Sequence, residues 1–369
     1  MKMKKYAGIC LPRLAMKVVL ILLILNLLCL FGSFLPIGKL SLYNLILPGR
    51  PRLPFGENPQ VSYNLTINNL DAMVYSHEIS KITSNTETYR ILLLGDSSIW
   101  GFLQRPEETL TSILDKKEME CNEQPVEVYN FGYPSLSLLK DLFLLNKAID
   151  FNPDLILWFV TLESMNQTEQ LSTPLVANNP DELNRIINTY QLSFPTAEVS
   201  LFDRSLINQR RNYADLVRLQ LYGVMWAATG IDQEYPESYT PAQRNFELDS
   251  AYKNYAGQTI EEDDLALDVI QRATENIDQA QIILINEPIL ISSGINSDIR
   301  YNYYYPRWAY DQYREILKRF AKEHNIKYYD LWDLVPEANF TNSAIHLDSE
   351  GTLLLADEVE RIIWEHCLP

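Results

Sequence analysis

Hydrophobic positions along the chain fall into two regimes. The first is one long run, VVLILLILNLLCLFGSFL (Val18–Leu35), polar only at Asn26 and Ser33. With its flanks (18–37) it reaches the ~20 apolar residues needed to cross a bilayer as a helix. The second regime begins at Tyr89, where short apolar runs alternate with helix-spaced leucines. RILLLG (90–95), VEVYNFG (126–132), DLILWFV (154–160), QIILINEP (281–288) and KYYDLW (327–332) read as five strands, the first buried on both faces. Between them lie a helix opened by Pro106-Glu-Glu, the leucine-rich SLLKDLFLLNKAI and WAYDQYREILKRFAKEH, and a last helix runs from near Asp348 to about Glu365.

Strands alternating with helices predict an α/β domain over 89–369, its mostly parallel five-stranded sheet covered by helices on both faces. Ligands in such sheets bind outside the carboxyl ends of the strands. The stretch 165–255 breaks the rhythm without a convincing strand and reads as a helical insertion, serving either as a lid or as a layer over the core. Residues 38–88 read as a linker and prelude, rich in Pro and Gly over LPGRPRLPFGENPQ, with a short helix near His77.

Charge orients the chain. Residues 1–50 hold seven Lys and Arg and no acid, so a net charge of −17 leaves −24 on the rest. By the positive-inside rule residues 1–17 form a cytoplasmic basic tail, 18–37 a single-pass anchor in the cell membrane, and the body lies outside the cytoplasm. A cleaved signal peptide fits less well, since its apolar core is ~7–15 residues. So acidic a body disfavours nucleic acid as a partner. Cys10 and Cys29 belong to the anchor segment, while Cys121 and Cys367 either pair in an oxidising compartment or stay as thiols. No metal-ligand spacing occurs, and no cofactor is expected.

The candidate chemistry lies in LLLGDSSIWG. Ser97 follows the first strand directly and so stands at the crevice. His346, in NSAIHLDSEG, sits at the loop-to-helix junction after the last strand, where a base for a serine nucleophile belongs. His77, His324 and His366 lie away from that end of the sheet.

These blocks resemble those of the SGNH, or GDSL-type, hydrolases, over roughly Tyr89–Glu365 without the insertion. The resemblance implies a flavodoxin-like three-layer α/β/α fold, Ser97 of Gly95-Asp96-Ser97 as nucleophile, His346 as base, and Gly132 of YNFGYPS as an oxyanion-hole donor beside the Ser97 N–H. Two blocks depart from the pattern. Glu163 stands where the family's oxyanion Asn would align, leaving Asn166 as the replacement donor, and Ser343 occupies the Asp position of Asp-x-x-His. Asp333, Asp330 and Glu287 are then the candidate acids to orient His346.

The expectation is a membrane-anchored, outward-facing serine esterase acting on acyl or acetyl esters of cell-envelope carbohydrate or lipid. Two alternatives share the fold: an O-acyltransferase working with a multi-span membrane partner, and an inactive glycan-binding protein using the aromatics of RYNYYYPRWAY (300–310).

Overall fold

The computed structural model describes residues 11–31, 42–47, 70–74, 88–231, 234, 238–253, 255 and 259–367. Most of the basic tail and of the 38–88 prelude, His77 included, lies outside the described residues, as do residues 32–37 of the expected anchor.

The helices in chain order are α1 (Leu11–Phe31), α2 (Leu42–Ile46), α3 (Leu70–Val74), α4 (Ser97–Trp100), α5 (Leu110–Asp115), α6 (Leu138–Ala148), α7 (Pro174–Asn178), α8 (Pro180–Tyr190), α9 (Leu206–Thr229), α10 (Leu267–Asn276), α11 (Arg307–Glu323) and α12 (Ser349–Cys367). The strands are β1 (Tyr89–Gly95), β2 (Glu120–Cys121), β3 (Gln124–Gly132), β4 (Leu155–Val160), β5 (Gln281–Asn286) and β6 (Lys327–Asp330). Among the described residues the sheet has six strands in the order β2-β3-β1-β4-β5-β6, one more than the sequence pattern predicts. The extra strand is a two-residue edge, Glu120–Cys121, antiparallel to β3 and too short to leave a periodic signature. All other neighbours pair in parallel.

Strand alternation divides the core in two. Leu92 and Leu94 of β1, Ile156 and Trp158 of β4, and Leu284 of β5 face one cluster with α6, α8, α10 and α11. Their neighbours Ile91, Leu93, Leu155, Leu157 and Ile283 face the other, with α5 and α12. Helices thus cover both faces, as a sheet of near-continuous apolar strands requires. The tyrosines of 300–310 divide as well: Tyr301, Tyr305 and Tyr310 are core residues, whereas Tyr303 is part exposed.

Order and direction place the crevice. From β1 the chain goes to β3 on one side and later to β4 on the other, so the topological switch point lies beyond the carboxyl ends of β1 and β4. Ser97 is two residues past the end of β1.

The 165–255 stretch contains α7, α8 and α9 and, among the described residues, no strand. Part of it is a covering layer, since Leu183, Ile186, Ile187 and Tyr190 of α8 join the core. Its long helix α9 instead meets the N-terminal segment, where Asn26 Oδ1 accepts from Leu206 N–H (3.1 Å) and Gln220 Oε1 from Leu42 N–H (2.9 Å). Cys121 and Cys367 are joined by a disulfide that ties the end of α12 to the β2 edge.

Candidate active site

Sequence sets the turn of the candidate nucleophile locally. Asp96 caps α4 by accepting the Ser98 N–H at 2.7 Å, and Gly101, at φ 83°, ends the helix after a single turn. Ser97 is held at the head of that turn, its Oγ 2.8 Å from His346 Nε2. His346, the candidate base, is carried by a loop folded on itself, with Thr341 N–H donating to His346 O (2.9 Å). Tyr303 moors the same loop, its hydroxyl donating to Ser343 Oγ (3.2 Å) and accepting the Ala344 N–H (3.2 Å). Gln104, just past the nucleophile turn, donates to Leu347 O (3.2 Å) and so ties the two loops together.

The third member is Asn342. Its Oδ1 lies 3.1 Å from His346 Nδ1. An amide oxygen only accepts, so Nδ1 carries the proton and Nε2 is left to accept from the serine hydroxyl. Burial lowers the His346 pKa from the usual histidine value, with the Asp96 charge opposing the shift. The imidazole therefore stays neutral, and competent as a base, to a pH below its ordinary range. Phe102 adds to that shielding, its ring centroid 4.9 Å from the imidazole.

The three acids anticipated from the sequence do not orient His346. Asp330 accepts from Arg314 (2.7 and 2.9 Å) and Asn286 (2.8 Å) at the end of β6. β6 is three places from β1, roughly 14 Å across the sheet at strand spacing. Asp333 is exposed on the turn beyond β6. Glu287 is buried, but its carboxyl accepts from Ser98 Oγ rather than from the histidine. Burial, reinforced by the Asp96 charge, pushes the Glu287 pKa well above its ordinary value.

The anticipated oxyanion donors also sit differently. The Gly132 N–H is taken by Asn130 Oδ1 at 2.9 Å, an Asx turn at the end of β3. Gly132 acts by its lack of a side chain: a Cβ there would lie 2.5 Å from Trp100 N and 2.7 Å from Ile99 C. Gly132→Ala is accordingly expected to push α4 off β3, costing about 1–3 kcal/mol by urea unfolding and lowering activity through a displaced Ser97. Asn166 is buried past β4, where its Oδ1 accepts from the Thr168 N–H (3.0 Å) and hydroxyl (2.7 Å) and none of its hydrogen bonds reaches Ser97. Glu163 pairs with Lys253 of the insertion at 2.8 Å, and its N–H donates to the Tyr305 hydroxyl at 3.3 Å.

Solved esterase folds are similar to this chain. A carbohydrate acetylesterase family member from Sinorhizobium meliloti is 13% identical, with a TM-score of 0.35 over 75% of this chain and 97% of the other. A lipase/acylhydrolase from Enterococcus faecalis is 15% identical, with a TM-score of 0.35 over 75% and 95%. A member of the lipolytic G-D-S-L family from Veillonella parvula is 13% identical, with a TM-score of 0.34 over 74% and 98%. No family model matches the chain, and no curated protein matches it. Among the described residues no group of His, Cys, Asp or Glu is arranged to hold a metal ion.

Asn342 gives the site a distinctive pH dependence. In Asn342→Asp a carboxylate replaces the amide and favours the imidazolium, so the acid limb of the kcat/KM profile is expected to move up by about one pH unit. Asn342→Ala removes one hydrogen bond of ~1 kcal/mol, about fivefold in rate, without that upward shift. Both follow from rate–pH profiles with a soluble ester.

Proposed function

We propose that this protein is a membrane-anchored serine esterase of the SGNH type, acting outside the cytoplasm on acyl or acetyl esters of cell-envelope carbohydrate or lipid. The observation that carries the reading is the Ser97 Oγ–His346 Nε2 contact at 2.8 Å, with Asn342 fixing the tautomer. Ser97 attacks the ester carbonyl while His346 takes its proton, then returns it to the leaving alcohol. His346 next activates water to release the acyl group. The Ser97 N–H, at the start of α4 where backbone donors lack helical partners, serves as a donor to the developing oxyanion.

Two features support the location. α1 is 21 residues long, and its residues Leu11–Leu28 are long and apolar enough to cross a membrane. The Cys121–Cys367 disulfide favours an oxidising compartment. The test is to treat the full chain with a fluorophosphonate and map the adduct by mass spectrometry. Labelling confined to Ser97 is expected, whereas a folded chain that stays unlabelled would return the fold to the glycan-binding alternative. Assays with sugar or glycerol acceptors then separate hydrolysis from acyl transfer.

A further inference from the structure

Much of the long helix of the insertion is exposed. At 100° per residue, Ile207, Val217, Leu221 and Met225 of α9 fall within one arc of about 80°, with Tyr222 and Trp226 beside it. All six are exposed, Val217 and Met225 by 59% and 58%. A soluble protein buries such a stripe.

Charge runs the other way from the rest of the molecule. The chain beyond residue 50 is strongly acidic, yet α9 carries Arg210, Arg211 and Arg218 against one acid in its sequence. Arg210 falls inside the apolar arc and Arg218 and Arg211 lie between it and the two aromatics, so each can lay its aliphatic stem along the apolar face and reach a headgroup phosphate with its guanidinium group.

Position names the occupant. α9 begins against α1, where Leu206 N–H donates to Asn26 Oδ1. Asn26 is two residues before the end of the apolar stretch Leu11–Leu28, about 3 Å along the axis, a depth near the boundary between hydrocarbon and headgroups. Fourteen residues on, Gln220 is buried and takes the Leu42 N–H of α2, which starts soon after α1 ends. α9 therefore runs alongside the place where the chain leaves the span.

We infer that α9 lies on the outer leaflet of the same bilayer as an in-plane helix, its apolar arc in the acyl region and its arginines on anionic phospholipid headgroups. With α1 it holds the body against the membrane at two points. This inference rests on the reading of α1 as an anchor.

The experiment reconstitutes the full chain in phosphatidylcholine–phosphatidylglycerol vesicles whose acyl chains are brominated near the headgroup. Trp226 emission is read as the difference between wild type and Trp226→Phe, and carbonate extraction is measured on the same vesicles. The expected result is loss of most Trp226 emission in a carbonate-resistant chain. Leu221→Glu/Met225→Glu is expected to restore that emission and to leave hydrolysis of a soluble ester unchanged. A carbonate-resistant chain with unquenched Trp226 overturns the α9 assignment while the anchor stands. A chain washed off by carbonate and unquenched overturns both. Quenching that persists in the double variant overturns the assignment as well. Dimer formation through α9 in place of quenching would give the face to a second copy of the chain.

Discussion

Ser97→Ala is expected to lower ester hydrolysis by a factor on the order of 10⁴–10⁶ and to abolish fluorophosphonate labelling, while circular dichroism stays that of the wild type. The size follows from what is lost. In the proposed mechanism the hydroxyl 2.8 Å from His346 Nε2 is the atom that forms the acyl-enzyme, and nothing else on the turn replaces it. His346→Ala is expected to cost about as much, and the double variant little more than either, because the two groups act as one unit. Ser98 is the control. Its hydroxyl faces Glu287 and its N–H faces Asp96, so Ser98→Ala is expected to keep the label on Ser97. Activity kept by Ser97→Ala, or labelling that moves to Ser98, would end the nucleophile assignment.

Both members of that pair were legible in the sequence for a geometric reason. A serine placed right after a strand buried on both faces, and a histidine placed right before the last helix, must both stand at the carboxyl end of a parallel sheet. The orienting group was not legible. Asn342 lies four residues before His346 and reaches it because the loop turns back through the Thr341 N–His346 O bond. No periodic pattern marks such a turn. Asp330, Asp333 and Glu287 were chosen as strand-end acids, which gives height above the sheet and ignores distance across it. The occupied Gly132 N–H did leave a trace, since Asn130 two residues earlier is the signature of an Asx turn. The alternating strands and amphipathic helices were readable because burial on two faces imposes them, and the two-residue β2 was invisible because it is only an edge.

The second large effect lies beneath the nucleophile turn, at Lys140 of α6. Lys140 is buried at 1% exposure, its Nζ donating to Gly95 O (2.7 Å) and Tyr133 O (3.0 Å) and pairing with Asp141 at 2.6 Å. Those carbonyls end β1 and follow β3, so this ammonium gathers the two strand ends on which Ser97 and Gly132 depend. Burial outweighs the attraction of Lys140 and raises the Asp141 carboxyl to about 6, with Trp158 Nε1 as its other donor at 3.0 Å. Lys140→Met takes the counter-ion from that carboxylate and the ammonium from both carbonyls, Gly95 O keeping the Tyr133 N–H (3.1 Å), and is expected to cost about 3–5 kcal/mol in urea unfolding. The loss has a defined pH sense. Without the cation the folded Asp141 pKa climbs above about 6 while the unfolded one stays near 3.8, so the native state binds the extra proton and stability falls as pH rises through that window. Lys140→Met should thus be weaker relative to wild type at pH 8 than at pH 5. Lys140→Met/Asp141→Leu is expected to recover much of the stability, because the unpaired charge rather than the missing ion pair is what destabilises the single variant. A single variant that unfolds like wild type at both pH values would show that the strand ends hold themselves.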